Sequence, residues 1–143
     1  MAISSAVCTS FKVEILKGVH NFTASSGNTF NLALYTSDAS LGAATTAYTT
    51  SNEVSGSGYP AKGNALTSVT PVADSTTAVC DFADTSFTSA SFTARGCLIF
   101  NDSATGDPAV CVIDFGSDKT VTSGTFTIQF PAADASNAIV RIA

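Results

Sequence analysis

The chain has 143 residues, 45% of them hydrophobic and only 12% charged, with a formal net charge of −5. That balance excludes a disordered chain, which pairs low hydrophobicity with high charge. It also speaks against a general nucleic-acid binder, which needs a basic stripe to displace counterions, because Lys12, Lys17, Lys62, Lys119, Arg95 and Arg141 are scattered singly.

The length suits one domain over residues 1–143, with a core large enough to fold without staples. Uninterrupted apolar runs are short, so no segment is expected to span a bilayer, and the scattered cations argue against contact with an anionic membrane. The N-terminal "MAISSAVCTSFK" has neither the basic start nor the long apolar stretch of a secretory signal, so synthesis inside the cell is the expectation.

In chain order, "CTSFKVEILKGVHNF" comes first. Phe11, Ile15 and Val19 recur at helical spacing, with Thr9 or Ser10 available as N-cap and Gly18 near the end. Phe11, Val13 and Ile15 also alternate as a strand would, but the Lys and Glu residues favour one short helix. From there the punctuation is that of an all-β domain. "SSGN" leads into "TFNLALYT", where Phe30, Leu32 and Leu34 share a face. "SDASLGAAT" connects to a strand-like "TAYTTSNEV". The Gly-rich "SGSGYPAKGN" reads as a surface loop.

Further strands are expected at "ALTSVTPV", "TTAVCDFA", "SFTARGCLIF", "AVCVIDFG", "GTFTIQF" and "NAIVRIA". "NDSATGDP" links two of them, "GSDK" breaks the chain before Val121, and "PAADASN" is the last connection. In "GTFTIQF", Phe126, Ile128 and Phe130 fall on one side and Thr125, Thr127 and Gln129 on the other. "ARGCLIF" and "AVCVIDF" are apolar on both faces, as central covered strands are. The expected fold is therefore mainly β: one antiparallel β-sandwich or flattened barrel of about eight strands, with one short N-terminal helix.

Groups for chemistry are few. His20 is the only histidine, and no G-x-S-x-G elbow presents a serine to it; a local structural role at the helix end is expected. Asp81, Asp84, Asp102, Asp107 and Asp114 border strands near turns, where Asp bonds nearby backbone amides. "NDSATGD" lacks the spacing and terminal glutamate of a calcium loop. Cys8, Cys80, Cys97 and Cys111 form no close metal-binding pair. The last three sit in apolar runs and read as buried free thiols, whereas Cys8 is expected at the surface. No enzyme activity, catalytic residue, metal or cofactor is expected.

Three blocks, "FKVEILKGVHNFT", "YTTSNEVSGSGYPAKGNAL" and "FTARGCLIFND" through "VIDFGSDKTVTSGTFTIQFPA" to "AIVRIA", resemble the small β-rich virion structural proteins of tailed bacteriophages. The resemblance covers nearly the whole chain. It implies a capsid decoration or cement protein that sits on the shell surface, with the major capsid protein as partner, self-association as a trimer, and no direct contact with nucleic acid. On that reading the interface draws on Tyr48, Tyr59 and Pro60, since Tyr is enriched at contacts. It also draws on Val7 and Cys8 in an N-terminal arm, residues 1–8, laid across a neighbour. A neck, tail or fibre-base component would use the same β material. A virion-displayed carbohydrate-binding sandwich is the rival from another class.

Overall fold

The computed structural model describes residues 2–143. Two strands form its spine: β6 (Thr85–Asn101) and β7 (Ala109–Ile128), 17 and 20 residues long and antiparallel to each other. Strands of ordinary proteins run to about ten residues; these two grow longer because they bend. Their register shifts between Phe87 and Ala90, Ala90 and Phe92, Ala94 and Gly96, and Ile99 and Phe100. Ser89, Gly116 and Ser123 take positive φ values of 49°, 83° and 45°.

The largest shift falls at "GSDK". Gly96 faces Asp114 and Ala94 faces Lys119, so residues 115–118 of β7 lie opposite Arg95 alone. The sequence expectation of a break before Val121 is corrected here, since the chain bulges and continues in the same strand. Local bonds explain it. Asp114 Oδ1 accepts from Gly116 N (2.9 Å) and Arg95 Nε (3.1 Å), so the turn chemistry is satisfied without a reversal. Beyond the bulge the strand folds back. The rings of Phe115 and Phe126 lie 6.3 Å apart, whereas eleven positions of straight strand would separate them by about 36 Å.

Around this spine lies a five-stranded sheet in the order β1-β7-β6-β2-β3, adding β1 (Ala6–Val7), β2 (Phe30–Tyr35) and β3 (Asn64–Ala65). A three-stranded sheet, β4-β5-β8, consists of β4 (Ser68–Asp74), β5 (Thr77–Phe82) and β8 (Val140–Ile142). All strand pairings are antiparallel. The architecture is that of a β-sandwich and not a closed barrel. Aromatic rings join the sheets: Phe22 stacks on Phe30 at 4.3 Å, and Phe82 lies 5.9 Å from Phe30. Every residue of β2 is buried, as are residues 96–101 of β6 and 109–112 of β7. The expected double-sided burial is what covers them on both faces.

The one helix among the described residues, α1 (Thr9–Leu16), starts where β1 ends. Its N-cap is Cys8, not Thr9 or Ser10, because Cys8 N is still held by Val110 O (3.0 Å) at the sheet edge. Gly18 ends it at φ 73°. Gly18 N bonds Ile15 O and Val19 N bonds Glu14 O, the paired closure that a left-handed residue permits.

"TAYTTSNEV" is not a strand and contributes only isolated bridges, Ala47 to Pro108 and Glu53 to Tyr35. Asn52 at φ 61° and the bond from Glu53 N to Thr50 O turn it instead.

Candidate functional site

The bend of β7 encloses an open cleft of about 830 Å3. Its walls are Val7 from β1, Ile113 before the bulge, Phe115 at its start, Phe126 and Ile128 after it, and Phe130 beyond the strand. Each of these six side chains is only half-buried. Lys119 is the one charged residue on the lining. The cleft's size falls in the range of ligand pockets, and its walls are mostly apolar.

Of the interface residues expected from the sequence, Val7, Cys8, Tyr48, Tyr59 and Pro60, Val7 alone lines this cleft. Cys8 is fully buried, which corrects its expected exposure; β1 pairing on one side and α1 on the other enclose it. The expected arm does not project. Ser4 N bonds Leu41 O, Leu41 N bonds Ala2 O, and buried Ile3 bridges Leu41, so residues 2–8 run along their own body.

Tyr48 and Tyr59 are half-buried and spoken for. Tyr48 Oη donates to Glu53 Oε2 (2.6 Å) and Tyr59 Oη to Glu53 Oε1 (2.7 Å), while Lys62 N donates to Glu53 Oε1 (2.8 Å). Leu34 N in turn donates to Tyr59 Oη (2.9 Å). Burial and then the Glu53 carboxylate push the Tyr48 hydroxyl up to about 12, and the same causes, in the same order, raise Tyr59 further. Lys62 Nζ reaches Asp107 and Asp102, each at 2.9 Å, and both carboxylates raise its pKa. Pro60 is exposed, so it is the one residue of the proposed loop contact that remains free.

The Gly-rich segment is thus a clamp more than a loose loop. Ser91 N bonds Ser57 O. A Cβ on Gly58 would stand 2.6 Å from Thr88 O and 2.8 Å from Ala90 Cα. Only glycine lets the segment cross the ribbon at that distance and at φ 78°.

His20 is buried among Phe11, Phe22 and Phe30. Asn101 Nδ2 donates to His20 Nδ1 (3.1 Å), which leaves Nε2–H to donate to Glu14 Oε1 (3.0 Å). Both ring nitrogens are therefore used in tying α1 to the end of β6. The Asp residues also serve the frame: Asp84 Oδ1 accepts from Phe130 N (2.8 Å), and Asp102 and Asp107 hold Lys62. Asp81 Oδ1 is buried without a partner.

All four cysteines are free and buried. Burial raises Cys8 to about 11 and Cys80 and Cys97 to about 12. Cys111 rises well above the usual thiol value through burial, with the other three thiols near enough to add to it.

Among the described residues no group of three or more His, Cys, Asp or Glu is placed to hold a metal ion, and no helix is long and apolar enough to cross a membrane. Sequence reasoning found Phe126, Ile128 and Phe130 through their alternation. It missed Ile113, Phe115 and Lys119, which reach the cleft only through the bend. Compared with known family models, curated proteins and solved structures, the chain matches none.

Proposed function

We propose that this chain is a bacteriophage virion structural protein, a decoration or cement protein that binds the outer surface of the major capsid shell and stabilises it. The sequence blocks that resemble small phage structural proteins suggest the setting. The observation that carries the reading is the cleft of about 830 Å3, walled by half-buried Phe and Ile side chains and left open to solvent. Each 100 Å2 of such apolar surface covered by a partner contributes about 2.5 kcal/mol. Repetition over a shell multiplies weak single contacts.

Sedimentation with purified capsids that lack the protein tests this. Wild-type chain is expected to co-sediment at a copy number approaching that of the capsid protein. Phe115→Asp, which puts a charge on the cleft wall, is expected to stay in the supernatant while keeping its circular dichroism. Co-sedimentation at a few copies per particle would move the protein to the neck or tail, and equal binding by the variant would remove the cleft from the contact.

A further inference from the structure

We propose that the free edge of β7 pairs with the same edge of a second copy of this chain, antiparallel about a two-fold axis, through residues 124–128. This goes beyond the capsid-docking reading and stands independently of it. β1 covers β7 only at Cys111 and Val112, and the next backbone N–H, that of Asp114, is taken by Ser5 Oγ (2.8 Å). Beyond the bulge, β7 pairs only with β6. Half the N–H and C=O groups of residues 124–128 therefore point outward, a template for another strand.

Natural edges of this kind are guarded by proline, charge or a bulge. The other long exposed edge, β4, is guarded: it carries Pro71, a register shift between Val69 and Val72, and Asp74 at its end. Residues 124–128 have none of these. Gly124 faces Ala90 and Phe126 faces Phe87, so the extra residue between them belongs to β6. The extra residue of β7 itself lies just before, between Val121 and Gly124 where Ser123 takes φ 45°, and from 124 to 128 β7 is regular.

Charge and symmetry favour a second copy as the occupant. The chain carries a net −5, yet residues 120–133 contain no charge, so two copies meet there without like-charge repulsion. An antiparallel edge is complementary to itself under a two-fold axis. That axis stands perpendicular to the sheet and keeps faces matched. Thr125 and Thr127 of both copies lie on one side, and Phe126 and Ile128 on the other. Hydroxyl pairs of this kind already bridge the ribbon, Thr93 to Thr120 and Ser86 to Thr127, both at 2.9 Å. The paired ribbons make a four-stranded sheet with both clefts on one side. A two-fold unit replaces the trimer that the family resemblance implies.

Analytical ultracentrifugation and native mass spectrometry of the purified chain test this. Because five paired residues make a small interface, a monomer–dimer equilibrium in the region of about 1–100 μM is expected. Thr125→Glu sets like charges beside the axis and is expected to weaken dimerisation about tenfold or more. Thr125→Lys alone should do the same. Mixing the two should restore dimers as Glu–Lys pairs, and thermal unfolding of each variant verifies that it folds. Monomer alone over the whole range, trimer in place of dimer, or unchanged dimerisation of both variants would each overturn the proposal.

Discussion

The two halves of the β6–β7 ribbon share strands and pairing partners but not surroundings. In the half nearest the connecting loop, residues 96–101 and 109–112 are buried throughout, flanked by β2 and β1, with α1 packed on β7 and Tyr48 stacked on Phe100. Past the bulge at residues 115–118, β6 and β7 alternate between covered and open positions, and Phe126 and Ile128 are only half-buried. The halves differ already in sequence: residues 96–101 and 109–112 are almost all apolar, whereas 85–95 and 119–128 alternate apolar residues with Thr and Ser. In structure they differ in how completely they are covered: past the bulge the segment carrying Gly58 and Tyr59 lies on β6, while the end of β7 is left open. The covered half holds the fold together, and the open half presents a cleft and a strand edge.

The largest effect should come from the covered half. Phe100 is 0% exposed, with Tyr48 stacked on it at 4.8 Å. Phe100→Ala is expected to cost about 4 kcal/mol in urea unfolding, because the surroundings cannot collapse into the space. The thiols sharpen the same contrast. Cys97 and Cys111 face the core of this half, so the native protein should resist alkylation at pH 8, and all four cysteines should react in denaturant. Since the folded thiols lie above the ordinary 9.0, with Cys8 at about 11 and Cys80 and Cys97 at about 12, their contribution is complete below pH 9. It is lost as pH rises from there toward 12, where the unfolded chain ionises first. A stability flat from pH 8 to 11 would contradict that burial.

The covered half was largely legible in the sequence, because "ARGCLIF" and "AVCVIDF" are apolar on both faces whatever the rest of the chain does. Helix α1 was legible from its period and from Gly18. The open half was legible only as alternation. "GSDK" carries the same residues whether a chain reverses or bulges, and only its partner strand decides between them. Burial of Cys8 and satisfaction of Tyr48 and Tyr59 escaped notice for a related reason. Each depends on a long-range neighbour, β7 for the thiol and the loop position of Glu53 for the two hydroxyls, and composition does not announce such neighbours.

In the open half, Phe126→Ala tests how far packing extends past the bulge. Phe126 touches Phe92 at 5.1 Å and Phe87 at 6.5 Å, yet part of its ring faces the cleft. The expected cost is about 2 kcal/mol, below that of a full core cavity, since the lost atoms were already partly hydrated. A loss as large as that of Phe100→Ala would mean that the cleft is closed in solution and that the two halves are equally covered.

Thr127→Ala should have the smallest effect. Thr127 is exposed, and its Oγ1 meets Ser86 Oγ at 2.9 Å across the strand pair, a contact in which both hydroxyls can equally bond water. Removing it is expected to change unfolding free energy by about 0.5 kcal/mol or less, the scale of a cross-strand hydroxyl pair. Thermal unfolding of Thr127→Ala, Ser86→Ala and the double variant isolates the pair. A coupling well above that scale would mean that the Thr face of the ribbon is dehydrated, so that something covers the side opposite Phe126 as well. The division between a covered and an open half would then have to be redrawn at the end of β7.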